Sequence, residues 1–164
     1  MTARQARSDL LVLGVGNLLR EDDGIGPWLV TRLKETFGAE LDALTLYELD
    51  IALAPELAAH ERLLVIDAVA PDAEAQEPFR LTSLSPSPHV TAPGGFLSHI
   101  FDWGMLLALA RDLHGRAPQA ELLAVSGERF GIGESISPAG RVNADAAFAF
   151  LVEYCSRERQ QSPS

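Results

Sequence analysis

The sequence predicts a single α/β domain, a three-layer sandwich in which helices flank a mostly parallel, twisted sheet of about five strands. Apolar runs of strand length alternate with segments of helical periodicity along the chain. The chain has 164 residues, which fits one domain, and hydrophobic residues make up 47% of it. We expect the domain to span residues 1–164, with flexible tails at about 1–8 and 158–164.

The first half of the chain is predicted to contain three strands and two helices. Residues 10–15 form a continuous apolar run, which is typical of a buried parallel strand. A helix follows, because apolar residues then recur every four positions before the stop signal of Gly38: Ile25, Leu29, Leu33 and Phe37. Residues 41–49 can form the second strand, and Pro55 opens a short helix. The apolar run over 62–69 predicts the third strand.

The second half adds two strands and two longer helices. Residues 78–84 predict a short strand that starts at a proline, which suits the edge of a sheet. Residues 85–98 hold three prolines and two glycines and are predicted to form a loop. Asp102 is a good N-cap for the helix that comes next. The last strand is predicted over 121–125, and a terminal helix over about 137–157.

The composition excludes several classes of function. The net charge of −10 repels nucleic acid phosphates and anionic membranes, so we expect neither as a partner. Cys155 is the single cysteine, which rules out an internal disulfide, and its apolar helical surroundings predict an inert core residue. No stretch approaches the roughly 20 apolar residues of a membrane span, and the polar first residues lack a signal-peptide core. A cytoplasmic location is therefore the default expectation.

Three consecutive carboxylates follow the first predicted strand, at Glu21, Asp22 and Asp23. They lie on a glycine-flanked loop, where mutual repulsion is costly unless a cation or a helix N-terminus relieves it. Asp22 or Asp23 can cap the next helix or point into a cleft, and neighbouring residues can divide these two roles. The preceding glycines do not indicate a dinucleotide site, because Leu19 occupies the position of the third glycine in that motif.

Further candidate ligands lie elsewhere in the chain. Sites in parallel sheets form at the carboxyl ends of strands, and Asp67 stands at the end of the third predicted strand. His89 and His99 lie in or beside the proline-rich loop, whereas His60 and His114 lie near predicted helix ends, where a histidine commonly meets the helix dipole or water. Two carboxylates and a histidine from separate loops would suit zinc or nickel and would leave coordination positions open.

The residues after the first strand carry a family resemblance. The sequence Gly14-Val15-Gly16-Asn17-Leu18-Leu19, followed by Asp22-Asp23-Gly24-Ile25-Gly26, resembles the N-terminal signature of the nickel–iron hydrogenase maturation proteases. The resemblance extends to Ile66-Asp67-Ala68, to a histidine before a helix with the sequence LLALA, and to a late segment over 127–138. It therefore covers most of the chain.

The resemblance implies a fold, an activity and a set of site residues. The family has a twisted sheet flanked by helices, which agrees with the fold predicted from the pattern of elements. Its members remove a short C-terminal extension from the hydrogenase large-subunit precursor after nickel insertion. On this sequence the family's metal ligands fall on Asp23, Asp67 and His99, and Asp23 and Asp67 are the expected catalytic residues. His89 is the alternative for the third ligand.

The resemblance thus implies an aspartic-type endopeptidase whose partner is the hydrogenase large-subunit precursor. Nickel would be carried by the substrate, with zinc or another divalent metal as the alternative cofactor. Either metal-polarised water or a carboxylate acting as base would attack the peptide bond, and the sequence does not decide between them. We expect the protein to act as a monomer.

Other interpretations share parts of this evidence. A non-catalytic, nickel-dependent checkpoint or chaperone for hydrogenase assembly would use the same ligands. A nucleotide-binding regulator and an endopeptidase of the spore germination type are further alternatives, although the close spacing around the acidic pair argues against the second. Two segments depart from the family pattern, residues 47–51 and the proline-rich residues 85–95. Both bear on the identity of the substrate more than on the activity.

Overall fold

A five-stranded, mostly parallel sheet forms the centre of the molecule. The computed structural model describes residues 9–70, 77–87 and 102–161. The sheet has the order β2-β1-β3-β5-β4, and only β4 runs antiparallel to its neighbour. The strands are Leu10–Val15 (β1), Asp42–Leu46 (β2), Arg62–Val69 (β3), Phe79–Leu84 (β4) and Gln119–Ser126 (β5). The predicted fold class is confirmed, and the strand that starts after Pro78 lies at the sheet edge as expected.

Helices cover both faces of the sheet and bury two separate cores. Ile25–Phe37 (α1) and Pro138–Gln161 (α4) pack on one face, and Ala54–Ala58 (α2) and Trp103–His114 (α3) pack on the other. The periodic residues of α1 are buried as the sequence predicts, apart from the partly exposed last one, and Gly38 ends the helix with a φ of 60°. Asp102 caps α3, because its carboxylate accepts a hydrogen bond from the Met105 N–H at 2.8 Å.

The terminal helix is longer than predicted. It continues to Gln161, whereas the sequence predicts an end at about residue 157. Ion pairs explain the difference, since they tie the last turns to the body of the protein. Glu158 pairs with Arg62 at 2.5 Å, and Arg159 pairs with Glu40. None of the helices within 9–70, 77–87 and 102–161 is long and apolar enough to cross a membrane.

Close packing between β1 and α1 fixes the start of the loop that joins them. A Cβ on Gly14 would lie 2.5 Å from the Gly26 carbonyl oxygen, and one on Gly26 would lie 2.5 Å from the Val15 carbonyl oxygen. Gly16 has a φ of +143°, and a Cβ there would lie 1.8 Å from the Asp23 carbonyl oxygen. These glycines therefore allow backbone segments to touch, which accounts for them without a bound phosphate.

Two side chains singled out from the sequence are structural. Cys155 lies on α4 and is buried in the hydrophobic core. Burial is the largest cause that raises the pKa of its thiol, the charge of Glu158 adds to it and Arg159 opposes it, and the resulting pKa is about 12. The thiol therefore stays protonated, as expected of an inert core residue. His60 is buried after α2, where Nδ1 lies 2.9 Å from the Glu56 carbonyl oxygen and Nε2 lies 3.3 Å from Asp42 Oδ2.

Candidate active site

Asp23 and Asp67 come together at the carboxyl edge of the sheet. Asp67 lies near the end of β3, and Asp23 lies in the short 3-10 helix Glu21–Gly24 that follows β1. Because β1 and β3 are parallel neighbours in the sheet, the segments that follow them emerge at the same edge. Both carboxylates are half-buried, and they are close enough for the charge of Asp23 to act on Asp67.

The surroundings of Asp67 favour its protonated form. Burial is the largest cause, the Ala68 backbone N–H opposes it, and the negative charge of Asp23 adds to it, so that the pKa of Asp67 rises from 3.8 to about 6. The stability that this group contributes is therefore present below its ordinary pKa and is lost as the pH rises through about 6. A cation between the two carboxylates would remove this cost, and a carboxylate with such a pKa is suited to proton transfer near neutral pH.

Asn17 holds Asp23 in place. The Asn17 backbone N–H donates to Asp23 Oδ2 at 2.8 Å. The Asn17 side chain accepts a hydrogen bond from the Leu19 N–H at 2.9 Å and donates one to the Tyr47 hydroxyl at 2.9 Å. Asn17 therefore supports the structure of the loop, and the contribution of Tyr47 was not predicted from the sequence. Tyr47 belongs to the segment after β2 in which the sequence departs from the family pattern.

Asp22 has a different role from that of its neighbour. It is fully buried, and its carboxylate accepts backbone hydrogen bonds from Glu128 at 2.6 Å, Arg129 at 2.9 Å and Ser137 at 2.6 Å. The Ser137 hydroxyl donates a fourth bond at 2.7 Å. Burial by itself would raise the pKa of Asp22, but these bonds outweigh it and lower the pKa below its usual value. Asp22 is therefore a charged anchor inside the protein.

Of the two alternatives left open for Asp22 and Asp23, capping of the next helix does not occur. Gly24 occupies the N-cap position of α1, and no side chain caps this end of the helix. The reason is that the 3-10 turn directs Asp22 away from α1 and toward the segment before α4. There Ser137 directly precedes α4, and its hydroxyl caps the helix by accepting a hydrogen bond from the Gly140 N–H at 2.9 Å.

Glycines make room for the buried carboxylate. A Cβ on Gly140 would lie 2.7 Å from the carboxylate oxygens of Asp22, and one on Gly127 would lie 2.9 Å from the Asp22 Cβ. Both positions therefore exclude a side chain while Asp22 is in place. Gly127, in the late segment of the family resemblance, and Gly140, in the first turn of α4, thus serve as the walls of the Asp22 site.

Glu21 binds the same late segment. Its backbone N–H donates to the Gly133 carbonyl at 2.8 Å, and its carboxylate accepts from the Gly131 N–H at 2.9 Å. Glu21 also has a φ of 49°, a strained conformation for a residue with a side chain. All three consecutive carboxylates thus accept hydrogen bonds from backbone N–H groups. Those of Glu21 and Asp22 bind the late segment, whereas that of Asp23 is held by Asn17 and is the one whose charge acts on Asp67.

The predicted histidine ligands lie outside the described residues. This applies to His99 and to its alternative His89, so the third ligand stays a prediction. Among the residues that the structure does describe, no group of three or more His, Cys, Asp or Glu side chains could hold a metal ion. The chemistry of the Asp23–Asp67 pair fits a divalent cation, because two half-buried, mutually repelling carboxylates are stabilised by positive charge.

Comparison with solved structures identifies proteins of the same fold. The hydrogenase maturating endopeptidase HybD from E. coli matches with a TM-score of 0.73 and 21% identity, over 90% of this chain and 92% of that chain. The NiFe hydrogenase maturation protease HycI from Thermococcus kodakarensis matches with a TM-score of 0.65 and 19% identity, over 91% and 93%. A hydrogenase 2 maturation peptidase from a Thaumarchaeota archaeon matches with a TM-score of 0.63 and 19% identity, over 90% and 97%.

At these identities the matches show a shared fold over nearly the whole length of both proteins. No family model and no curated protein sequence matches the chain. The fold that the sequence resemblance implies is therefore confirmed by structure.

The two neighbouring aspartates should differ in their effect on stability. We expect Asp22→Asn to lower the free energy of unfolding by about 2–4 kcal/mol, since an amide cannot accept all of the hydrogen bonds that the buried carboxylate receives. Asp23→Asn is the matched control and should leave stability unchanged or slightly higher, because it removes repulsion with Asp67. Urea unfolding at neutral pH measures both variants. Equal losses would contradict the anchoring role of Asp22.

The pKa of Asp67 should respond to the charge of Asp23. In the wild-type protein we expect the Asp67 carboxyl to titrate at about 6. In Asp23→Asn the pKa should fall but stay above 3.8, because the neighbouring charge is lost while the burial remains. Carbon-13 NMR titration of the side-chain carboxyl, in metal-free buffer, gives both values. An identical pKa in the two proteins would show that the carboxylates are not electrostatically coupled.

Proposed function

We propose that this chain is an endopeptidase that removes the C-terminal extension of a nickel–iron hydrogenase large-subunit precursor after nickel insertion. The observation that carries the proposal is the coupled pair of Asp23 and Asp67 at the carboxyl edge of a sheet. The fold supports it, because solved structures that carry the name of hydrogenase maturation protease or endopeptidase match this chain along nearly its whole length.

In this proposal the two carboxylates bind the nickel that the precursor carries, and His99 supplies a further ligand. Asp23 is suited to the task because the Asn17 backbone N–H holds one of its oxygens and fixes the direction of the carboxylate. The charge of the pair provides a reason for discrimination, since two half-buried carboxylates favour a substrate that brings a cation over one that does not. Binding the metal also places the scissile peptide bond beside the pair.

Asp67 is the proposed general base of the hydrolysis. Its carboxylate takes a proton from water, the water oxygen forms a bond to the scissile carbonyl carbon, and the C–N bond then breaks as the leaving amine gains a proton. The pKa of about 6 belongs to the metal-free protein, and a cation beside Asp67 would lower it, so the group is ionised at neutral pH when the substrate is bound. The reaction is thus of the aspartic type, and the nickel of the substrate supplies positive charge that polarises the water or the carbonyl.

The proposal also covers cellular location and oligomeric state. The chain would act in the cytoplasm, as a monomer, on one precursor at a time. The acidic net charge of −10 supports a protein partner rather than a nucleic acid or an anionic membrane.

Processing of the precursor tests the proposal directly. We expect purified wild-type protein to shorten a nickel-loaded large-subunit precursor and to leave the nickel-free precursor intact. Asp23→Asn should lower the rate of cleavage by about 100-fold or more, because it removes a charge that faces the substrate metal. Asp112→Asn is the matched control, since it makes the same change on the exposed surface of α3. Mass spectrometry of the precursor reports the cleavage.

Two results would overturn the proposal. Equal rates for wild type and Asp23→Asn, with native folding of both, would remove Asp23 from the reaction. Binding of the nickel-loaded precursor without any shortening by the wild-type protein would instead identify a non-catalytic checkpoint in hydrogenase assembly.

A further inference from the structure

Large apolar side chains are exposed around the Asp23–Asp67 site. Leu18 and Leu19 each expose 58% of their surface, Tyr47 exposes 70% and Ile132 exposes 97%. We refer to these four residues as the apolar rim. Single exposed apolar residues are ordinary, but a group of large ones beside a candidate active site points to an interaction surface.

Hydrogen bonds bring the three segments of the apolar rim together. The Tyr47 hydroxyl accepts a bond from the side chain of Asn17, the residue before Leu18. The Leu19 carbonyl accepts a bond from the Gly133 N–H at 3.0 Å, which brings the residue after Ile132 against the loop that follows β1. The rim is therefore one surface that is built from the loops after β1, β2 and β5.

The apolar rim adjoins the Asp23–Asp67 site, and hydrogen bonds to Asp23 and Glu21 fix the conformation of its segments. Leu18 and Leu19 belong to the same loop as Asp23, and the Asn17 N–H bond to Asp23 starts this stretch. Ile132 lies between Gly131 and Gly133, and both glycines bond to Glu21. A surface that is already ordered loses little conformational freedom when a partner binds, which favours affinity.

The charges that border the rim are mostly negative. Four exposed carboxylates lie in the segments that carry Tyr47 and Ile132: Glu48, Asp50, Glu128 and Glu134. Arg129 is the exposed cation of these two segments, and Arg20 is that of the loop that carries Leu18 and Leu19, so exposed carboxylates are in excess. A complementary partner surface therefore combines apolar side chains with an excess of Lys and Arg.

We propose that the apolar rim is the surface on which the folded body of the protein substrate docks. The occupant is a protein surface with exposed apolar side chains and a surplus of basic residues, adjacent to the segment that is cut. This inference rests on the proposed function, because it takes the substrate to be a large-subunit precursor. It adds a second recognition element, separate from the two carboxylates: the rim positions the body of the precursor, and Asp23 and Asp67 act on its metal and its peptide bond.

The test compares polar substitutions on and off the rim. The variant carries Leu19→Gln together with Ile132→Gln, which removes apolar surface without changing the charge. The matched control is Leu113→Gln, since Leu113 is 67% exposed on α3, an element that contributes no residue to the site. The probe is the uncleaved, nickel-loaded large-subunit precursor. Calorimetry gives the Kd, and initial rates of cleavage give KM and kcat.

We expect the rim variant to raise Kd and KM by about tenfold while kcat changes by less than about twofold, because docking is lost and the carboxylates are intact. Leu113→Gln should match the wild type. KM should also rise with salt, because the rim and its partner attract each other by charge. A rim variant with the KM and Kd of the wild type would overturn the inference.

Failure of the inference and failure of the proposed function give different results. If the wild type cleaves the precursor and the rim variant does so with unchanged KM, the enzyme stands and the docking surface is wrong. If the wild type binds the precursor without cutting it, and the rim variant binds more weakly, the docking surface stands and the peptidase is wrong. If the wild type neither binds nor cuts, both are wrong.

Discussion

The buried carboxylate of Asp22 is the interaction on which the geometry of the site depends. It receives hydrogen bonds from Glu128, Arg129 and Ser137, which lie more than 100 residues further along the chain. These bonds join the turn after β1 to the loop after β5 and to the start of α4. The charge is balanced by N–H and O–H dipoles, so no cation is needed at that position. With Asp22 fixed, the next residue along the turn, Asp23, is held where its charge acts on Asp67.

The acidic triplet therefore divides into two carboxylates that bind the late segment and one, held by Asn17, whose charge acts on Asp67. Glu21 and Asp22 stabilise the loop after β1, because each binds backbone N–H groups of the late segment. Asp23 and Asp67 instead destabilise the protein at neutral pH, because the charge of Asp23 raises the pKa of Asp67. The repulsion between these carboxylates is relieved when a cation binds, so the site is suited to recognising a substrate that carries a metal ion. The anchor next to it offsets that cost and keeps the two charges together.

Much of this arrangement follows from the sequence, for identifiable reasons. The bounds of β1 and β3 agree with the predicted ranges because both strands are continuous apolar runs buried on both faces. The meeting of Asp23 and Asp67 follows from parallel strands that end at one edge of the sheet. The partners of Asp22 were not predicted, because a contact across such a separation has no local pattern. The sequence signals of the Asp22 site are the glycines at 127 and 140 and the helix start at Ser137-Pro138. The end of α4 was missed because the ion-pair partners of its last turn, Arg62 and Glu40, lie far away in the sequence and leave no local pattern.

The central claim is that Asp23 and Asp67 act as one unit, and a double-mutant cycle on precursor cleavage tests it most directly. Single-turnover rates would be measured for the wild type, Asp23→Asn, Asp67→Asn and the double variant, each checked for native stability. If the carboxylates form one centre, the double variant should be about as slow as the slower single variant, because the first substitution already disables the unit. Losses that multiply in the double variant would mean that the two residues contribute independently, and the paired centre would be contradicted.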